Sequence, residues 1–131
     1  MDARLENRPL VLIVDDDGRS ANLLARLLRL DGYEAEVTRD GAAAIARLTR
    51  SPVPDALITD FHLAHADGLA VGRYGRSRRP SMPIFVVAGY PPPLASGSDS
   101  LEGPVVVMTK PLDYADLLRR LTGVLPPVGA V

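Results

Sequence analysis

Hydrophobic positions along the chain gather into short continuous runs, Leu10–Val14, Ala56–Thr59, Ile84–Ala88 and Val105–Met108, most of them rich in β-branched residues. A strand buried on both faces has this composition, because neither side of its pleat meets water. A further run, Glu34–Thr38, alternates polar and apolar residues and predicts a half-exposed edge strand. Between the runs the period becomes that of a helix. Leu23, Leu24, Leu27, Leu28 and Leu30 fall on one side of a helix stopped by Gly32, and Ala44, Ile45 and Leu48 make a shorter stripe. Near the C-terminus Asp113 is placed to cap a helix striped by Leu117, Leu118, Leu121 and Val124, with Arg119 and Arg120 suiting the dipole near its end.

The helix expected from Asp67 to about Ser77 is weaker, since Gly72 and Gly75 each cost roughly 1 kcal/mol relative to alanine, and packing through Leu69 and Val71 must hold it. In GYPPPLASGSDSLEG the prolines and the missing apolar period predict a loop or a short, distorted helix. Strands alternating with helices imply right-handed crossovers and a parallel sheet covered on both faces, so the fold class is α/β.

In such sheets ligands bind beyond the carboxyl ends of the strands. Asp15, Asp16 and Asp17 follow the first strand, Asp60 ends the third, Ala88-Gly89 ends the fourth and Thr109-Lys110 the fifth. If the first and third strands adjoin, Asp15, Asp16 and Asp60 meet, and their repulsion either raises a pKa or recruits a cation. Mg²⁺ suits the set because it takes oxygen ligands, needs only one or two carboxylates and keeps waters that a phosphate oxygen replaces. With Lys110 as a second positive charge, a carboxylate here can accept a phosphoryl group through positioning and electrostatics. Asp17 reads as the cap of the first helix and stays outside the metal set.

The 131 residues suit a single domain, 1–131, with a core of about 9–125 and loose ends. Fifteen basic against sixteen acidic residues give a net charge of −1, which offers no field for nucleic acid or anionic membrane. There is no cysteine, no signal-peptide pattern and no apolar run near the roughly 20 residues of a membrane helix, so the cytoplasm is the expected compartment. Arg73, Arg76, Arg78 and Arg79 read as charges at the end of the third helix, and His62, His65 and Asp67 as an exposed loop rather than a transition-metal site.

Several motifs together resemble the receiver domains of two-component response regulators, over about Pro9 to Leu125. VLIVDDD is similar to the family's first strand and acidic pair, LITDFHLAHADG to its third strand and following loop, and TKP to its lysine motif. The resemblance implies Mg²⁺ held by Asp15, Asp16, Asp60 and the backbone carbonyl of His62, with Asp60 as phosphoacceptor and Lys110 as its counter-charge. It implies a flavodoxin-like five-stranded sheet in the order 2-1-3-4-5 and a cis bond before Pro111. It also implies a phosphohistidine donor on a histidine kinase or phosphotransfer protein, and a downstream protein effector. Such a module performs limited self-phosphorylation and self-dephosphorylation and is not an enzyme acting on a separate substrate. The expected assembly is a monomer or a weak homodimer through the last helix.

Two positions depart from the family pattern. Ala88 stands where receivers usually carry a serine or threonine, and Val107 where they carry a switching aromatic residue. His62 and Tyr90 occupy the positions that flank the path of hydrolytic water. The acid–metal–lysine chemistry is thus intact while the usual switch is altered. Two other readings stay open: a degenerate receiver that binds its partner irrespective of phosphorylation, and a haloacid-dehalogenase-like phosphatase, whose DxD motif IVDDDG resembles, with Asp15 as nucleophile and Asp17 as acid/base. The phosphatase would need a further acidic pair where AGYPPP stands.

Overall fold

A computed structural model describes residues 7–89 and 103–127. Five strands, β1 (Leu10–Val14), β2 (Glu34–Thr38), β3 (Ala56–Asp60), β4 (Ile84–Ala88) and β5 (Val106–Thr109), pair throughout in parallel. Their order is β2-β1-β3-β4-β5, as the receiver resemblance implied. Helices α1 (Gly18–Leu30), α2 (Gly41–Leu48), α3 (Gly68–Arg78) and α4 (Tyr114–Val124) connect or follow them. The segment expected as a loop or distorted helix, and Tyr90 with it, lies outside the described residues.

The sheet divides two apolar layers. Val11, Ile13, Ile58, Phe85 and Val87 face α1 and α4, while Leu12, Val14, Leu57, Ile84 and Val86 face α2 and α3. Because side chains alternate along a strand, β1, β3 and β4 supply both layers at once, which is why they read as continuous apolar runs. At the edge, β2 sends Ala35 into one layer, while its Glu36 meets the buried Arg47 of α2 at 2.7 Å on the other. Arg47 also donates to the carbonyls of Arg50 and Pro52, so each guanidinium nitrogen has a partner.

Only part of the leucine stripe of α1 is buried: Leu28 is enclosed and Leu24 packs half-buried beside the core. Ala21, Ala25 and Leu28 lie against the sheet, whereas Leu23 is 56% and Leu30 83% exposed. At about 100° per residue, two positions on from Ala21 or Leu28 lies on the far side of the helix. The alanines let its backbone settle close to the sheet. In α3 the glycines have a packing role as well: a Cβ on Gly75 would stand 2.9 Å from the Met82 sulfur. Arg119 and Arg120 correct another expectation, since α4 has no basic residue in its last turn and both arginines instead pair with Asp116 in mid-helix. The arginines ending α3 reach neighbouring backbone: Arg78 donates to Leu48, Arg79 to Val53 and Pro54, and Arg76 to Met82 and Pro104.

Candidate functional site

The order of strands places β1 beside β3, with Val14 in register with Thr59, so the residues that follow each strand emerge together at the carboxyl edge. One carboxylate oxygen from each of Asp15, Asp16 and Asp60 lies within 4.8 Å of the others. Asp60 is buried at the end of β3, Asp15 is half-buried and Asp16 exposed. Across β4, the Lys110 ammonium reaches both oxygens of Asp60 at 3.2 Å. Its reach is fixed by its own backbone, whose N–H donates to the carbonyl of Ala88 at 2.8 Å, and the following bond to Pro111 is cis.

Burial is the largest influence on the Asp60 carboxyl, and the hydrogen bond and charge of Asp15 act in the same direction. Lys110 opposes both, yet the pKa is pushed up to about 7. For Lys110 burial pulls downward, but the bonded Asp60 and the charges of Asp15 and Asp16 outweigh it and hold the ammonium above its ordinary pKa. One lysine therefore does not offset three crowded carboxyls. A hard divalent cation does, and an all-oxygen donor set with one buried and two accessible carboxylates fits Mg²⁺. Among the described residues this is the group of three or more acidic or imidazole side chains close enough to share an ion, and neither His62 nor His65 belongs to it.

The other predicted positions surround this centre. Asp17 caps α1, accepting from the backbone of Arg19 and Ser20 and from the Ser20 hydroxyl at 2.9 Å. His62, exposed in the loop after β3, sets its ring edge-to-face with Phe61, the centroids 4.7 Å apart. Ala88 ends β4 in register with Thr109, and Val107 lies half-buried in β5 opposite Val86. A cavity of about 290 Å³ opens beside the acids, lined by Asp15, Asp60 and Lys110 together with Leu23, Leu27 and Tyr114. Gly68 closes the site from below: a Cβ there would lie 2.3 Å from the Asp60 carbonyl, so only glycine lets α3 begin directly beneath the strand end. Sequence reasoning missed Arg39 and Gly41, which touch the loops on either side of the acids. The pair Asp40-Gly41, repeating Asp67-Gly68 at a strand-to-helix junction, was the available signal.

A doubly wound parallel sheet with an acidic cluster and a lysine on its carboxyl edge is the architecture of an open α/β protein that works at its strand ends. The family model for the response regulator receiver domain matches residues 11–122, and the chain belongs to that family, the receivers of two-component signalling. It is 32% identical over 123 residues to the transcriptional regulatory protein TrcR of Mycobacterium tuberculosis, covering 93% of this chain and 48% of that protein. To the response regulator MprA of Mycobacterium avium it is 34% identical over 125 residues, covering 88% of this chain and 50% of the relative. The chain thus spans about half the length of these curated relatives. Among solved structures, a response regulator receiver protein from Sinorhizobium medicae superposes with a TM-score of 0.81 at 25% identity, covering 92% of this chain and 96% of that one. The receiver domain of the hybrid histidine kinase CckA gives 0.73 at 28%, with 88% and 98% covered.

Proposed function

We propose that this receiver domain accepts a phosphoryl group on Asp60 from the phosphohistidine of a histidine kinase or phosphotransfer protein, with Asp15, Asp16, Asp60 and the His62 carbonyl holding Mg²⁺. The observation that carries the reading is the meeting of three carboxylates within 4.8 Å, with Lys110 bonded to the buried one. A bound Mg²⁺ would supply the positive charge that keeps the Asp60 carboxyl ionised and offsets the oxygens of the transferring group. Asp60 is the nucleophile because it is the buried member, held at a strand end by both the backbone and Lys110. Its oxygen forms the new bond to phosphorus as the donor's phosphorus–nitrogen bond breaks and the imidazole leaves. Lys110 faces the developing charge on the phosphoryl oxygens.

In this reading the 131 residues form one receiver domain acting in the cytoplasm, on which a downstream protein effector reads the signal. No described helix is long and apolar enough to cross a membrane. The domain turns over no separate substrate. In the family pattern the positions of His62 and Tyr90 are those that flank the path of hydrolytic water, so these two residues are the ones that tune the lifetime of the phosphoryl group. With Ala88 and Val107 in place of a hydroxyl and an aromatic ring, output does not use the usual paired movement and is read either through the segment from Gly89 to Gly103 or through a partner that contacts the site itself.

Asp17 argues against the phosphatase alternative. The Ser20 hydroxyl, followed by the backbone N–H groups of the α1 start, holds its carboxyl below the ordinary value, where it is a poor proton donor. The degenerate receiver is favoured by Ala88 and Val107 alone.

The test is incubation with Mg²⁺ and acetyl phosphate followed by mapping of the adduct by mass spectrometry. A phosphoryl group on Asp60 that disappears in Asp60→Asn is the expected result. Labelling of Asp15 with turnover of phosphate esters would establish the enzyme, and neither adduct nor Mg²⁺ binding would establish the degenerate module.

A further inference from the structure

We propose that Thr38–Gly41, the junction between the edge strand β2 and α2, is a brace that positions both loops of the acidic site, with Arg39 and Gly41 as positioning residues. The inference rests on the Mg²⁺-dependent reading above. Toward the first loop, the Thr38 carbonyl accepts the N–H of Asp15 at 3.1 Å. The Arg39 guanidinium then lays Nη2 and Nε against the carbonyl of Asp16, at 3.0 and 3.3 Å. A Cβ on Gly18 would stand 3.0 Å from the Arg39 guanidinium, so the glycine that starts α1 leaves the slot in which the arginine lies. These two bonds are the hydrogen bonds that Asp16 makes to described residues.

Toward the second loop, the Gly41 N–H donates to the Ala64 carbonyl at 3.0 Å. Ala66 packs where a side chain would be: a Cβ on Gly41 would lie 2.5 Å from the Ala66 oxygen and 2.6 Å from its Cβ. Between those residues His65 holds φ at 70°, in the left-handed region that is uncommon for residues other than glycine. Among the described residues, the Gly41–Ala64 bond is the one hydrogen bond from residues 62–66 to the rest of the chain. Asp40 fixes the brace itself by capping α2, its carboxylate accepting from Ala43 at 2.7 Å.

One four-residue segment leading from the edge strand β2 into α2 thus ties down the loop carrying Asp15 and Asp16 and the loop carrying His62. Neither Arg39 nor Gly41 belongs to the acidic set. Each acts on backbone whose placement sets where carboxylate and carbonyl oxygens stand, as partners behind metal ligands generally do.

The test follows backbone amide signals of the whole chain by NMR while MgCl₂ is added. In the unaltered protein, shifts centred on Asp15, Asp16 and Asp60 are expected. Gly41→Ala changes no charge, and its affinity for Mg²⁺ should fall roughly tenfold, the scale seen when a partner behind a metal ligand is lost. Arg39→Ala removes a positive charge, which by electrostatics alone would tighten binding, so weaker binding is the mark of positioning; Arg39→Lys should recover part of it. Arg39 is exposed, so this variant folds even if Gly41→Ala does not. Leu121→Ala, which loosens the core beneath α4 away from the site, should leave the affinity unchanged. Unaltered affinity in Gly41→Ala, or tighter binding in Arg39→Ala, would overturn the brace. If the unaltered protein shows no Mg²⁺ shifts at the acids, the Mg²⁺ reading fails and the brace falls with it.

Discussion

Asp60 shows how one residue's setting reaches both chemistry and stability. Its carboxyl releases a proton near 3.8 in the unfolded chain and holds it to about 7 when folded, chiefly because it is buried and secondly because Asp15 faces it. Between those values the folded protein binds more protons than the unfolded one, so without metal its stability falls as pH rises from about 4 to about 7. The fall is on the order of 4 kcal/mol, since about three tenfold changes in proton affinity are each worth roughly 1.4 kcal/mol. Thermal midpoints measured in chelator at about pH 5 and about pH 8 should show it. Asp60→Asn should flatten the dependence, and added Mg²⁺ should restore stability at the higher pH. Asp15, Asp16, Asp60 and Lys110 were legible in the sequence because strand ends are where an α/β sheet collects its chemistry. Arg39 and Gly41 were not, because what each holds lies in a loop 23 residues away in the chain.

Among the secondary-structure elements, α1 separates hydrophobicity from burial. Its leucine stripe predicts the sheet-facing side, yet Leu28 is buried and Leu30 is exposed. Leu28→Ala should cost about 3 kcal/mol in denaturant unfolding, and Leu30→Ala should change stability by less than roughly 0.5 kcal/mol. Periodicity locates the helix but cannot rank two apolar arcs around it; that depends on whether leucine or alanine fits the distance to the sheet. Glycines divide in the same way. Gly123 in α4 has nothing within 4 Å of a built Cβ, so Gly123→Ala should stabilise by up to about 1 kcal/mol. Gly68→Ala meets the Asp60 carbonyl at 2.3 Å and should destabilise, with thermal unfolding as the measure of both.

Across the full fold, two tyrosines tie the last helix to the first half of the chain. The Tyr33 hydroxyl donates to the Leu125 carbonyl at 2.5 Å, and the Tyr114 hydroxyl to Asp31 at 2.7 Å. Burial first, then the charge of Asp31, pushes the Tyr33 pKa up to about 12, so the hydroxyl remains a donor throughout the neutral range. Tyr33→Phe should lose about 1 kcal/mol, with amide exchange quickening at the end of α4. Both bonds span more than eighty residues, and neither could be read from local pattern.

The alternation of strands and helices, the capping aspartates and the identity of the residues at strand ends all follow from neighbours a few positions apart, so the sequence alone sufficed for them. Three features needed the assembled fold: which arc of α1 is buried, how far Asp60 is desolvated, and that the edge strand's junction touches both loops of the acidic site. Each of these depends on distances between segments remote in the chain, and such distances are set by the packing of the whole sheet rather than by any local run of residues.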